Sequence, residues 1–272
     1  MLTKTINLCK KIDLALCVCT SHAYKDIWDL FYFYWNKHFF SNEIPVYFLS
    51  SEKYKANDKM YSVVYPFNSK STDPWSNRIS ECLEQIKHKN IITTTEDAIL
   101  NKNININKFY DALNFFNQNN LDFLKICPFY PNRSKEIQDN YVSHDSWELH
   151  RVNITNALWK KKSLEKLLIK NESINEFDMF ASSRADNEKF KVYHCDFKVL
   201  NYVEIIHGGK FNFQAKKYLK ETDYINKNSR EFNSFYENII ILINYFKLYV
   251  YSILPIFFKK ILIQKKIIGY KK

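Results

Sequence analysis

Strand-like and helix-like segments alternate through the first 130 residues of this chain, and this alternation constrains the fold most strongly. The predicted elements are, in chain order, a strand at 14–20, a helix at 23–39, strands at 44–51 and 60–67, a helix at 77–89, a strand at 90–95 and a helix at 105–119. Such alternation predicts an α/β fold, in which a mostly parallel mixed sheet carries helices on both faces. Ligands of these sheets bind at the carboxyl ends of the strands.

The composition narrows the kinds of site that this fold can carry. A chain of 272 residues with 46% hydrophobic residues is long enough to build a large core without metals or disulfides. Only three glycines are present, which argues against P-loop and dinucleotide-binding sites, because these need glycine where backbone approaches phosphate. The six cysteines form no CxxC pair, so we expect reduced, mostly buried thiols in a cytoplasmic protein.

After about residue 130, strands and helices alternate less regularly. An extended piece precedes a helix that begins near Lys162, and a second short helix covers about 172–185. Two strands are expected at 190–195 and 200–209, the latter ended by the Gly208–Gly209 pair. We find no internal repeat and no linker before about residue 215, so the predicted domains are 1–215 and 216–272.

The C-terminal segment has a different character from Tyr236 onward. It is apolar, aromatic and basic, with almost no acid after Glu237. The stretch from 239 to 258 approaches the length of a membrane span, but Asn244, Lys247 and Pro255 interrupt it. We expect a helical appendage that lies on an anionic membrane surface. The alternatives are a helical hairpin packed on the sheet or on a second subunit, and a true span.

Two adjacent acids, Glu96 and Asp97, follow the strand at 90–95. Neighbouring side chains on a strand point to opposite faces, so both acids can reach one ligand only where the strand has broken into a turn. In that case they form a candidate site for Mg²⁺ or Mn²⁺, which prefer oxygen ligands. The alternative is an acidic helix N-terminus capped by Thr95.

Several motifs together resemble glycosyltransferases of bacterial polysaccharide biosynthesis loci, which make capsule and lipopolysaccharide. The resemblance covers about residues 12–210. It rests on the "YKDIWDLFYFYW" helix, a Trp-Ser-x-Arg helix start at 75–78, a strand that ends in Glu96 and Asp97, the "ALWKKKSLEKLL" segment and the "SINEFD" motif at 173–178. It implies a GT-A-like, Rossmann-type fold that transfers a sugar from a nucleotide-diphosphate sugar to a saccharide.

The resemblance also implies positions for the donor nucleotide sugar. Glu96 and Asp97 correspond to the metal and donor motif of such folds, and without the spaced acid pair Arg78 must help to neutralise the diphosphate. The candidate donor-binding residues are Thr20, Ser21, Trp75, Arg78, Glu96, Asp97, Gly208 and Gly209. The glycine pair also fits an ordinary turn, and Thr20 and Ser21 fit ordinary helix caps. The candidate metal ligands are Asp97, Glu96 and His207.

Catalysis of an inverting transfer needs a base that takes the proton of the acceptor hydroxyl. Glu176 and Asp178 are the candidates, with Glu176 favoured by its position in the motif. Side chains two apart on a helix diverge, so one of the two should face the pocket. In a retaining mechanism both acids would bind the acceptor instead, and the alternative for both is a solvated or capping role.

The expected partners follow from the resemblance and from the charge. They are a nucleotide-sugar donor, a saccharide or lipid-linked saccharide acceptor, and an anionic membrane surface at the inner face of the cytoplasmic membrane. The net charge of +11 also fits a non-enzymatic protein that binds nucleic acid or a membrane surface. Nucleic acid is the less favoured partner, because much of the excess charge lies in the last third among long aliphatic side chains. A nucleotidyltransferase is disfavoured by the missing glycine-rich loop.

Overall fold

The structure is a computed structural model that describes residues 1–39, 44–54, 61–128, 134–138, 140–144, 148, 150–222, 230–255 and 257–258. The helices are α1 (Leu2–Lys11), α2 (Trp28–His38), α3 (Trp75–Gln85), α4 (Ile106–Gln118), α5 (Lys161–Leu167), α6 (Ile174–Asn187), α7 (Ala215–Glu221) and α8 (Phe235–Ile253), with a 3-10 helix at His22–Ile27. The strands are β1 (Leu14–Cys19), β2 (Val46–Leu49), β3 (Ser62–Val64), β4 (Asn90–Thr95), β5 (Ala98–Leu100), β6 (Phe123–Lys125), β7 (Ser134–Gln138), β8 (Tyr141–His144), β9 (Ala157–Lys160), β10 (Val192–Cys195), β11 (Tyr202–Glu204), β12 (Ile206–His207) and β13 (Lys210–Phe211).

Nine of these strands form one mixed sheet in the order β3-β2-β1-β4-β9-β6-β10-β8-β7. The pairs β3–β2, β2–β1, β1–β4 and β6–β10 are parallel. Strand β9 runs antiparallel to both of its neighbours, so β6 and β10 point in the same direction as β1 and β4. The carboxyl ends of β1, β4, β6 and β10 therefore meet at one edge, as does the chain that enters β9.

Strand β1 explains how the helices divide between the two faces. All six of its residues are buried, as expected for a central parallel strand. Leu14, Leu16 and Val18 pack with side chains of α1, α2 and α4, whereas Ala15 and Cys17 pack with those of α3, α5 and α6. The predicted α/β fold with a mostly parallel mixed sheet and helices on both faces is confirmed, and it is the architecture that a GT-A-like resemblance implies.

A third apolar cluster holds the small β-elements beside the sheet edge. It joins the 3-10 helix and α2 to β5, β12, β13 and α7, and its buried members include Ile99, Phe211 and Tyr218. Arg230 ties the same region together, because its guanidinium pairs with Asp26 (Nη2 to Oδ1, 2.6 Å) and donates from Nη1 to the Gly209 carbonyl at 2.6 Å. The predicted domain boundary at 215/216 stays a prediction, although α7 begins there and buries side chains in this cluster.

Some predicted elements differ from the structure. The expected strand at 200–209 is two short strands, β11 and β12, which lie in separate two-stranded sheets and not in the main sheet. The expected helix at 23–39 begins as a 3-10 helix, and the helix expected at 77–89 begins at Trp75 and ends at Gln85. The prediction of unpaired, buried cysteines is confirmed, because all six are free and buried.

The C-terminal segment forms α8, a helix of 19 residues. Within the described residues, no helix is long and apolar enough to cross a membrane. The basic end of the segment, from Lys259 onward, lies outside the described residues.

Candidate functional site

A cavity of about 1190 Å³ opens at the sheet edge where the carboxyl ends of β1, β4 and β6 meet. The predicted site residues that line it are Thr20, Ser21, Trp75, Arg78, Glu96, Asp97, Glu176, Asp178, His207 and Gly208. Gly209 alone of the predicted set is not part of this wall. Residues proposed from separate parts of the sequence thus come together in one cavity.

Glu96 and Asp97 reach the cavity because the chain turns after β4. Strand β4 ends at Thr95, the two acids occupy the turn, and β5 begins at Ala98. The alternative of an acidic helix N-terminus is therefore wrong, since the following helix, α4, begins only at Ile106. The break in the strand removes the alternation that would send the two side chains to opposite faces.

Burial raises the proton affinity of both carboxyl groups. Burial raises the pKa of Glu96, and the neighbouring Asp97 charge raises it further. Burial also raises the pKa of Asp97, to which the nearby Glu204 carboxylate adds. Thr20 lies beside Glu96 and hydrogen-bonds to its carboxyl group, while its Oγ1 accepts a hydrogen bond from Trp28 Nε1 at 2.9 Å. This end of the cavity therefore favours the presence of a proton or a cation.

A divalent cation fits the Glu96–Asp97 pair chemically, because Mg²⁺ and Mn²⁺ take carboxylate oxygens and accept phosphate oxygens as further ligands. The predicted set with His207 does not form a complete protein site. Among the described residues, no group of three or more His, Cys, Asp or Glu side chains is arranged to hold a metal ion. His207 is exposed, in the β12–β13 hairpin, and not at the end of a main-sheet strand as expected.

The glycine pair makes a tight turn in that hairpin. Gly208 and Gly209 have φ angles of 60° and 81°, in the left-handed region that favours glycine. A Cβ at either residue would meet nothing within 4 Å. The turn geometry, and not close approach of other chain atoms, therefore accounts for both glycines.

The N-terminus of α3 forms another part of the cavity wall. Arg78 is half-buried, its Nε donates to the Asp73 carbonyl at 2.9 Å, and no ion pair within the described residues involves it. Burial lowers its pKa, which still leaves a guanidinium charged at neutral pH. Trp75 is mainly a core residue that packs on Phe177 at 5.3 Å, with one edge at the cavity. A guanidinium at a helix N-terminus is a favourable place for a phosphate group.

The "SINEFD" motif forms the start of α6, and its two acids have different roles. Glu176 closes a capping box: its Oε2 accepts from the Ser173 backbone N–H at 2.9 Å and from Ser173 Oγ at 2.8 Å. Asp178 lies two residues further along the same helix. Its buried Oδ1 has no hydrogen-bond partner among the described residues. Both acids line the cavity, and the expectation that Glu176 or Asp178 acts as the base stays a prediction; the capping role foreseen as an alternative is observed for Glu176.

Asp178 has a proton affinity suited to acid–base chemistry near neutral pH. Burial raises its pKa to about 7, against the opposing effect of Lys125. Lys125 itself is buried at the end of β6, and its Nζ donates to Asn153 Oδ1 at 2.6 Å and to the Thr155 carbonyl. Burial lowers the pKa of Lys125. A buried ammonium group and a buried carboxyl group thus share this part of the cavity.

Several polar residues of the cavity wall were not predicted from the sequence, among them Lys125, Tyr202 and Glu204. A lysine inside the apolar run "LDFLKIC" was the available signal for the first, because lysine is almost never buried without partners. Tyr202 and Glu204 belong to β11, which pairs with β5 directly after the acidic turn. Nothing local in the sequence predicts that pairing.

No protein-family model matches the chain, and neither does any curated protein. Among solved structures, the chain is similar to residues 1–349 of TarS from S. aureus, crystallised in complex with UDP-GlcNAc, with 12% sequence identity and a TM-score of 0.42. The match covers 72% of this chain and 59% of that structure. The fold class and the site rest on this chain's own sheet and cavity.

Asp178 gives a stability prediction that is independent of any activity. Its folded pKa of about 7 lies above the ordinary value of 3.8, so folding takes up a proton between these values. The stabilisation is complete below the ordinary value and is lost as pH rises through the folded value. Thermal melts should therefore show that the Tm of Asp178→Asn rises relative to wild type by about 5 °C between pH 5 and pH 8.5.

The matched control is Asp111→Asn, which makes the same charge change at an exposed position on α4. Its Tm difference from wild type should stay flat over the same pH range, because exposed charges contribute little to stability. A flat difference for Asp178→Asn as well would contradict the buried, proton-binding state of this carboxyl group.

Proposed function

We propose that this chain is a GT-A-like glycosyltransferase that transfers a sugar from a nucleotide-diphosphate sugar to a saccharide acceptor. The proposal rests on the charged residues that line the cavity at the sheet edge, which we call the first cavity. Arg78 stands at a helix N-terminus on one wall, the Glu96–Asp97 turn lies at the strand ends, and Asp178 has a pKa of about 7. Such a cavity offers an anion site, a cation site and a base together.

The charges of the cavity and the geometry of the sheet support one position for the donor. Its nucleoside lies over the carboxyl end of β1 at Thr20 and Ser21, where ligands of parallel sheets bind. Its diphosphate lies between Arg78 and the acidic turn, with Trp75, Gly208 and Gly209 nearby. Glu96 and Asp97 would hold a divalent cation there, and that cation, when bound, supplies positive charge that stabilises the leaving diphosphate.

Asp178 is the proposed general base. Its carboxylate takes the proton of the attacking acceptor hydroxyl, which allows attack on the sugar from the face opposite the nucleotide and so inverts the anomeric configuration. Lys125 acts as a positioning residue, because its ammonium lowers the pKa of Asp178 and keeps a fraction of the carboxylate ionised at neutral pH. Glu176 holds the helix start that carries Asp178.

The acceptor and the location follow from α8. Residues 238–272 contain seven lysines and no acid. Large apolar side chains of α8 are exposed, among them Phe246 at 66%, and Phe257 beyond it is exposed at 68%. Exposed aromatic and aliphatic residues next to lysines fit an anionic lipid surface. We place the protein peripherally at the inner face of the cytoplasmic membrane, where it acts on a lipid-linked saccharide in capsule or lipopolysaccharide biosynthesis.

The donor hypothesis is tested by thermal stabilisation. Titration with UDP, GDP, CMP and dTDP sugars, with and without Mn²⁺, should raise the Tm for one nucleotide class. Arg78→Ala should weaken the binding of that donor by about 10- to 100-fold, because charge-assisted hydrogen bonds contribute about 1.5–3 kcal/mol. Arg78→Lys keeps the charge but loses the guanidinium fork, so its affinity should lie between those of wild type and Arg78→Ala.

Asp97→Asn should remove the part of the stabilisation that depends on Mn²⁺. For Arg78→Ala, the charge control is Lys170→Ala, which removes one positive charge at an exposed position that does not line the cavity and should bind the donor as wild type does. If no nucleotide sugar binds while nucleic acid binds at physiological salt, the basic nucleic-acid-binding alternative replaces this proposal.

The base assignment is tested by pH–rate profiles. The wild-type kcat/KM should fall below about pH 7, where Asp178 is protonated. Asp178→Asn should lower kcat by about 10²- to 10⁴-fold and leave donor affinity unchanged. Lys125→Met should move the acidic limb to higher pH, because the ammonium that lowers the pKa of Asp178 is gone. A structural role for Lys125 alone would not move this limb.

Glu176→Gln is the matched control for Asp178→Asn, since it makes the same change two residues earlier in the same helix. It should retain activity within about tenfold and lose about 0.3–1 kcal/mol of stability, because Gln can close the capping box but lacks the charge that the helix dipole favours. Full activity in Asp178→Asn, or loss of activity in Glu176→Gln at unchanged stability, would reverse the assignment.

The membrane hypothesis is tested with vesicles that contain anionic lipid. The double variant Phe246→Glu, Phe257→Glu should lose most of its binding in a flotation assay, because it places two charges on the apolar surface of the segment. The control is Phe33→Glu, Phe67→Glu, which makes the same charge change at exposed phenylalanines elsewhere. Equal binding by both variants would show that α8 is not the membrane contact.

A further inference from the structure

A second cavity, of about 750 Å³, lies beside the first. Tyr202, Glu204, Ile206 and His207 line both cavities, so the two lie on either side of this stretch of chain. Its other walls come from the chain after β5, the chain before β11 and one side of α8. The volume falls within the range of about 300–1,000 Å³ that small-molecule sites occupy.

The lining of the second cavity differs in chemistry from that of the first. Five side-chain carboxamides line it: Asn101, Asn201, Asn212, Gln214 and Asn238. Carboxamides donate and accept hydrogen bonds at once, as sugar hydroxyls do. The first cavity, by contrast, is lined by more carboxyl groups than carboxamides. A wall rich in carboxamides suits a heavily hydroxylated ligand such as a saccharide.

Two of these carboxamides have hydrogen-bonding capacity to offer. Asn101 Oδ1 is buried, and no donor among the described residues satisfies it. The side-chain amide of Asn201 makes no hydrogen bond within the described part of the chain, whereas its backbone carbonyl accepts from Asn101 N–H at 2.9 Å. A buried acceptor without a donor is unfavourable, and a ligand hydroxyl would supply the missing donor.

The rim adds charge and an aromatic face. Lys102 and Lys198 both line the cavity and are exposed, and Glu204 on the shared wall is the one acid among its described lining residues. Phe213 lines it with 64% of its surface exposed. An aromatic face packs against the C–H groups of a sugar ring, and the two ammonium groups favour a ligand with negative charge.

We propose that the second cavity binds an anionic saccharide, a glycan that carries carboxylate or phosphate groups. On the proposed function, on which this identity rests, the ligand is the part of the acceptor that precedes the reacting sugar. Its terminal hydroxyl reaches Asp178 past the shared wall, while the preceding sugars occupy the carboxamide-lined cavity. The site thereby selects acceptors by charge at a distance from the reacting bond.

Calorimetric titration of the full chain with three trisaccharide probes tests the proposal. Trigalacturonate supplies carboxylates, maltotriose 1-phosphate supplies a phosphate, and maltotriose is neutral. At low salt, at least one acidic probe should bind about 3- to 10-fold more tightly than maltotriose, and the better of the two identifies the anionic group. The double variant Lys102→Ala, Lys198→Ala should abolish this preference and leave the affinity for maltotriose unchanged.

Asn201→Ala should weaken all three probes by about 3- to 10-fold, since it removes a neutral hydrogen-bonding group. The double variant Lys162→Ala, Lys170→Ala makes the same net-charge change at exposed positions outside the cavity and should bind like wild type. If no probe binds, or if binding ignores both the Lys102–Lys198 and the Asn201 substitutions, the proposal is overturned.

Arg78→Ala separates this proposal from the proposed function, because Arg78 lines only the first cavity. If Arg78→Ala still binds the saccharide probes and the wild type binds no nucleotide sugar, the saccharide site is supported and the glycosyltransferase proposal is wrong. Nucleotide-sugar binding with no saccharide binding would do the reverse.

Discussion

The site depends on a change in strand pairing between Thr95 and Ala98, where the chain passes from the main sheet to a small sheet. Strand β4 pairs with β1 over its whole length and with β9 over its first four residues, so it is fixed in the centre of the main sheet. The next strand, β5, pairs instead with β11 in a separate small sheet. The two residues between them have no place in either ladder. For that reason the side chains of both acids reach the cavity, and they line it as neighbours.

This partner change also sets the charge balance of the cavity. It brings Glu204 of β11 beside Asp97, so the acidic turn gains a third carboxyl group from a remote part of the sequence. Lys125, at the end of β6, and Arg78, on α3, also line the cavity. The cavity therefore combines carboxyl groups of raised pKa with a guanidinium that has no ion pair among the described residues. A ligand that carries both a phosphate group and a bound cation matches this combination of charges better than a neutral one.

The sequence predicted those features that depend on local pattern. Buried runs such as residues 14–20 specify central strands, and the break after Thr95 was foreseen as the condition for Glu96 and Asp97 to share a ligand. The capping role of Glu176 was not chosen over a catalytic one, because the motif position alone carries no information on which acid closes the cap. Ser173 decides it: the Ser-x-x-Glu spacing is itself the capping-box signature, and it was available in the sequence. Lys125 stood out as a lysine in an apolar run, but the three residues of β6 are too few to give a periodic signal. Glu204 lay in an expected strand, but the pairing of that strand with β5, distant in sequence, left no local trace.

The position of α8 joins the chemistry of the cavity to the surface on which the protein is proposed to act. Tyr249 and Tyr251 of this helix line the first cavity, and Ile241 and Leu242 line the second. Most of the remaining large apolar side chains of α8 point to solvent. Because α8 lines both cavities and also exposes apolar side chains, both cavities open close to any surface that those side chains bind. If that is a lipid surface, a lipid-linked saccharide meets the carboxamide-lined cavity and then the base without leaving the membrane, and the nucleotide sugar enters from the side of Arg78.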